Sequence, residues 1–142
     1  MTDAATETRT VVVEREIPYP PEKIWRALTQ PHLIAEWLMK GDFAPIMGRQ
    51  FRLSGDWGGV DCEVLAIEPH ETLSYTWNYA HDDPAYALES VVTFTLTPTA
   101  TGTLLRMEQV GFRPDQKQAY QGARLGWRQH LENLEKTVAG LG

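Results

Sequence analysis

At 142 residues, with 23% charged and 42% hydrophobic side chains, the chain has the size and balance of one globular domain, which excludes a disordered or membrane class. Nineteen acidic against thirteen basic residues leave a formal charge of -6, a field that repels phosphate backbones and anionic lipid. Nucleic acid and membrane insertion are therefore not expected.

In chain order, Met1 to Thr8 shows neither a basic start nor an apolar run, and no stretch approaches ~18 consecutive apolar residues. A flexible N-terminus over 1–8, a single domain over 9–142 and a cytoplasmic location are expected. From Thr10 to Ile17 the residues alternate, with Val11, Val13, Arg15 and Ile17 on one face, which predicts a strand carrying an inward-leaning arginine. Tyr19-Pro20-Pro21 stops it and starts a short helix marked by Ile24, Trp25 and Leu28. After Pro31, a second short helix presents Leu33, Ile34, Trp37 and Leu38.

Pro45 and Gly48 separate two short extended pieces between Asp42 and Leu53. Ser54 to Gly59 is a tight loop carrying Trp57, and Val60–Ile67 and Leu73–Tyr79 are strands joined through Glu68-Pro69-His70-Glu71. Cys62, the one cysteine, sits in an alternating apolar run and reads as a buried thiol of an intracellular protein. Leu73, Tyr75, Trp77 and Tyr79 share a face. Strands over about Tyr86–Leu96 and Thr103–Val110 follow, and Pro114 is expected to open a long helix with Tyr120, Trp127, Leu131, Leu134, Val138 and Leu141 on one stripe. Strands that follow one another without helices imply an antiparallel sheet, whose concave face is the surface able to cover that stripe.

Several segments resemble a known family. Tyr19-Pro-Pro-Glu-Lys-Ile-Trp25-Arg-Ala-Leu-Thr29 with Pro31-His-Leu-Ile-Ala-Glu-Trp37 is similar to the opening of START-like (SRPBCC) proteins, in the branch related to the activator of heat-shock protein 90 ATPase. Glu68-Pro69-His-Glu71-Thr-Leu73-Ser-Tyr75-Thr-Trp77, Val91 to Pro98 with Thr101-Gly-Thr103, and Gly126-Trp127 with Leu131 and Leu134 resemble that branch's later signatures in order. The resemblance runs from about residue 9 to 139. It implies an α+β helix-grip fold, a curved antiparallel sheet of six or seven strands around the long C-terminal helix, with a cavity between them. The superfamily includes lipid-transfer proteins, plant allergens and polyketide cyclases, and one fold carries many activities.

The candidate site is that cavity. Trp37, Trp57, Tyr75, Trp77, Phe94, Met107 and Trp127 supply an aromatic-rich wall suited to a planar or hydrophobic small molecule, or else plain core; Trp57 is the preferred gate. Gly122 and Gly126 bare one helix face; Gly126 is expected to serve close packing, and Gly122 either packing or ligand space. Arg15 meets an anionic ligand group or a structural partner among Asp61, Glu63 and Glu108. His130 lies near the edge of the inward stripe, placed for a cavity mouth.

The chain shows no metal-ligand spacing, nucleophile elbow, phosphate loop or dinucleotide fingerprint, so no metal and no cofactor are proposed. Three functions follow. One is a non-enzymatic domain enclosing a hydrophobic or aromatic molecule. The second, implied by the resemblance, is a co-chaperone-like partner of the heat-shock protein 90 ATPase in the stress response. The third is a cyclase- or hydrolase-type enzyme using His130 and Glu108. Either a monomer or a homodimer fits.

Overall fold

The computed structural model describes residues 8–56 and 58–141. Strand β1 (Arg9–Ile17) leads into helices α1 (Pro21–Thr29) and α2 (Pro31–Trp37). Strands β2 (Lys40–Gly41), β3 (Gln50–Gly55), β4 (Gly58–Glu68), β5 (Thr72–Tyr79), β6 (Leu88–Pro98) and β7 (Thr103–Phe112) follow, and helix α3 (Lys117–Ala139) ends the fold. The flexible N-terminus expected over 1–8 falls, Thr8 apart, outside the described residues, as does Trp57.

On β1, Val11, Val13 and Ile17 are buried while Val12, Glu14 and Glu16 face water, the alternation of a half-buried strand. Pro21 and Pro31 stand at the first positions of α1 and α2, where a missing amide proton costs no helical bond. Each helix then buries one face: Ile24, Trp25, Ala27 and Leu28 on α1, and Leu33, Ile34 and Trp37 on α2. The Trp37 indole donates to the Ala27 carbonyl at 2.8 Å, which locks the two helices together.

The seven strands form one antiparallel sheet in the order β1-β7-β6-β5-β4-β3-β2. β1 and β2 therefore occupy opposite edges, and α1 and α2 carry the chain across the sheet between them. Successive hairpins return until β7 pairs with β1, from Arg9↔Phe112 to Ile17↔Thr103. α3 then packs against β1, β7, α1 and α2, burying Trp127, Leu131, Leu134, Thr137 and Val138. This is the α+β helix-grip architecture, with a seven-stranded open sheet and two short helices after the first strand.

Two local details depart from the sequence reading. Pro114 does not open α3. The Gln116 backbone N–H donates to the Arg113 carbonyl at 2.9 Å, and the Gln116 side-chain oxygen accepts from the Arg113 N–H at 2.9 Å. That turn delays the helix to Lys117.

The last strand also runs beyond Val110. Thr10 pairs with Val110 and Arg9 with Phe112, so Gly111 is an extra residue on β7. Its φ of 131° is open to glycine, and a Cβ there would collide with the Glu89 carbonyl oxygen. The bulge resets the alternation, so Gln109 and Phe112 are both buried while Val110 between them is exposed.

Candidate ligand-binding cavity

The hollow of the sheet is filled at one end and open at the other. Under α2 the rings form a continuous series: Phe43–Phe51 at 5.1 Å between centroids, Phe51–Tyr75 at 5.2 Å, Tyr75–Phe94 at 6.0 Å and Trp37–Phe94 at 6.0 Å. Edge-to-face and tilted contacts of this kind are the favoured geometry for packed rings. Under the N-terminal half of α3 the side chains stop short, and a cavity of about 410 Å³ remains. Trp77 and Tyr79 of β5, Leu88 of β6, and Gln109 and Phe112 of β7 form its sheet side.

The helix side explains the opening. Ala119, Gly122, Ala123 and Gly126 recur at three- and four-residue steps, so one face of α3 presents almost no side-chain volume to the sheet. A Cβ built on Gly122 or on Gly126 meets nothing within 4 Å. The close packing expected of Gly126 is therefore not its role: both glycines border open space. Glycine inside a helix costs about 1 kcal/mol relative to alanine, and here no tight contact offsets that cost.

The inner end of the cavity is polar and ordered. The Trp127 indole donates to Gln109 Oε1 at 2.7 Å, Gln109 Nε2 donates to Ser90 Oγ at 3.0 Å, and Ser90 Oγ donates to the Trp77 carbonyl at 2.6 Å. Gln109, Ser90 and Trp127 are all buried, so each polar atom in this series is satisfied by its neighbour.

His130 differs. Its ring borders the cavity and meets Trp127 edge-on at 5.5 Å, and its buried Nδ1 has no hydrogen-bond partner among the described residues. A buried polar atom left unpaired costs about 1–3 kcal/mol. Burial pushes the His130 pKa below its ordinary value, with the Trp37 backbone pulling partly the other way, so the ring is neutral at neutral pH. Burial likewise raises the Tyr79 phenol, which keeps its proton.

Of the ten residues singled out from sequence, Trp77, Gly122, Trp127 and His130 come together around the cavity. Trp37, Tyr75, Phe94 and Met107 lie in the packed end, Phe94 and Met107 with no exposed surface. Arg15 points elsewhere: its Nε donates to Glu135 of α3 at 2.8 Å. The partners anticipated for it are engaged on their own account, Asp61 with Arg52 at 2.8 Å, Glu108 with Arg106 at 2.7 Å, and Glu63 with Gln50 at 3.4 Å. β1 is an edge strand beneath the C-terminal half of α3, so a helix glutamate is the carboxylate in reach.

The structure does not bring His130 and Glu108 together. Glu108 alternates with the buried Met107 and Gln109, which puts it on the outer face of the sheet beside Arg106. Cys62 is buried, and desolvation, with Asp61 adding to it, pushes its thiol up to about 12. It is an inert core group.

Sequence reasoning passed over Gln109, Phe112, Leu88, Ala119 and Ala123. The small-residue face of α3 was visible in the spacing of positions 119, 122, 123 and 126, and Gln109 follows Leu105 and Met107 at every second residue. Phe112 carried no such signal, because the bulge at Gly111 inverts its face.

The fold has close counterparts among solved structures. Protein MLL2253 from Mesorhizobium loti is 67% identical, with a TM-score of 0.92 over 94% of this chain and 99% of that one. DynU16, described from the dynemicin biosynthetic locus, is 25% identical with a TM-score of 0.80, covering 92% of this chain and 47% of that one. BH1534 from Bacillus halodurans shares the fold at 24% identity, with a TM-score of 0.78 over 92% of this chain and 96% of that one. No curated protein matches the chain. The model of the family described as activator of Hsp90 ATPase homolog 1-like protein matches residues 18–139, and with the helix-grip fold already in place the chain belongs to that START-like family.

Proposed function

We propose that the protein binds a hydrophobic or aromatic small molecule in the cavity between the sheet and α3. The observation that carries this is the bare face of α3: Gly122 and Gly126 border open space opposite Trp77, Leu88 and Phe112. A volume of about 410 Å³ falls within the range of small-molecule sites, and apolar walls with a few polar groups are their usual composition. Burial of the guest's apolar surface at roughly 25 cal/mol per Å² supplies the affinity. DynU16's place in a biosynthetic locus fits a fold that handles small molecules.

The co-chaperone reading draws on the family's description, whereas the small-molecule reading draws on a cavity in this chain; the cavity takes precedence. The enzyme reading lost its acid–base pair when Glu108 fell on the outer face.

The test fills the cavity from the helix side. Gly126→Leu keeps a helix-favouring residue and extends a side chain into the open space. Binding of hydrophobic fluorescent dyes and of lipid extracts should fall more than about tenfold while thermal stability holds or rises. Undiminished binding by a folded Gly126→Leu protein would place the guest elsewhere.

A further inference from the structure

We propose that the guest is amphipathic: an apolar ring body fills the cavity against Trp77, Leu88 and Phe112, and a charged or polar group at its other end stays outside, in the surface depression beside Lys117 at the start of α3. This rests on the small-molecule reading above and deepens it by naming the guest's chemistry and the direction in which it lies.

The cavity has nothing with which to receive a polar group. Among the described residues, no lysine, arginine, aspartate or glutamate lines it. Its inner polar atoms are taken up or turned away. Gln109 accepts from the Trp127 indole and donates to Ser90, so both of its ends are engaged. Nδ1 of His130 is buried with no surface open to the cavity, and the ring is held by the Trp37 backbone. An ionised group drawn inside would lose its water and find neither counter-charge nor hydrogen bond, a penalty far larger than that for apolar surface.

The outside offers what the inside lacks. Tyr79, the lining residue that carries a hydroxyl, belongs to the edge: it and Ala119 line both the cavity and a neighbouring depression of about 580 Å³. Tyr86, Asp115, Lys117 and Gln118 complete that depression, and all four are exposed, so a group resting there keeps much of its water. Asp115 is engaged by Arg113 at 3.3 Å, whereas Lys117 forms no ion pair among the described residues. The Lys117 charge therefore reports on what lies beside it.

Calorimetric titration of the intact protein at neutral pH with two matched pairs tests this: naphthoate against methylnaphthalene, and naphthylbutanoate against butylnaphthalene. Each pair shares a carbon skeleton, so the difference within it is the effect of the carboxylate, held on the ring in the first and on a tether of methylenes in the second. The carboxylate should weaken binding more than about tenfold in the first pair and less than about threefold in the second. At low salt, Lys117→Glu should weaken naphthylbutanoate relative to butylnaphthalene by about three- to tenfold. Lys136→Glu, the same reversal in the last turn of α3, should leave that ratio unchanged. Equal carboxylate effects in the two pairs, or equal effects of the two charge reversals, overturn the proposal and leave the cavity as the binding site. If neither hydrocarbon binds the native protein, the small-molecule reading falls with it.

Discussion

The indole N–H of Trp127 donates to Gln109 Oε1 at 2.7 Å, and through it the middle of α3 is fastened to the floor of β7 at the inner end of the cavity. Gln109→Leu leaves the buried Trp127 donor unpaired and removes the donor that reaches Ser90 Oγ. Ser90 Oγ keeps its bond to the Trp77 carbonyl, so a loss of about 1–3 kcal/mol in urea denaturation is expected, chiefly from the stranded Trp127 donor. In a double-mutant cycle with Trp127→Phe, the coupling should be about 1 kcal/mol. Additive effects would show that the contact does not hold helix to sheet.

The two cavity glycines should trade stability against binding. Alanine at Gly122 or Gly126 meets no atom within 4 Å, so each substitution gains helix propensity without a clash. Each should stabilise the fold by up to about 1 kcal/mol, seen as a rise of about 3–5 °C in Tm. Both should also shrink the cavity and weaken guests that fill it. A fall in Tm would mean that the helix face is in contact with something after all.

This trade also marks how far the sequence could be read. The alternation of Val11 to Ile17 and the stripe from Trp127 to Val138 are consequences of one buried face, so the sheet and its covering helix were legible. The empty end was half legible: residues 119, 122, 123 and 126 announce a thin helix face, but a thin face serves close contact and open space alike. Only the distance to the opposing strands separates the two. Arg15 shows a further limit, since its partner Glu135 is 120 positions away and three nearer-looking carboxylates were already engaged. Phe112 was hidden by a single inserted residue.

That residue gives the third expectation. Gly111 holds φ at 131° and leaves no room for a Cβ beside the Glu89 carbonyl. Gly111→Ala must either adopt a strained backbone or straighten β7, and straightening turns Phe112 outward, away from the cavity. A loss of at least about 2 kcal/mol is expected from strain and overpacking together. Chemical denaturation gives the number, and the Phe112–Tyr120 ring contact, at 5.9 Å here, should break in a structure of the variant. A tolerated alanine with that contact intact would mean the bulge does not set the face of Phe112.

His130 gives the fold a defined response to acid. Burial lowers its folded-state pKa beneath the ordinary value of 6.5 that the unfolded chain retains. Between those two values the unfolded chain holds a proton that the native protein does not, so stability rises with pH there. The His130 contribution is fully present above the unfolded value and is lost as pH falls through the folded one. Comparing urea denaturation at about pH 7.5 and about pH 5.5, His130→Phe should lose less stability than the parent protein, by up to one proton's worth, or about 1.4 kcal/mol per pH unit. Equal acid sensitivity in parent and variant would show that His130 does not titrate differently between the folded and unfolded states.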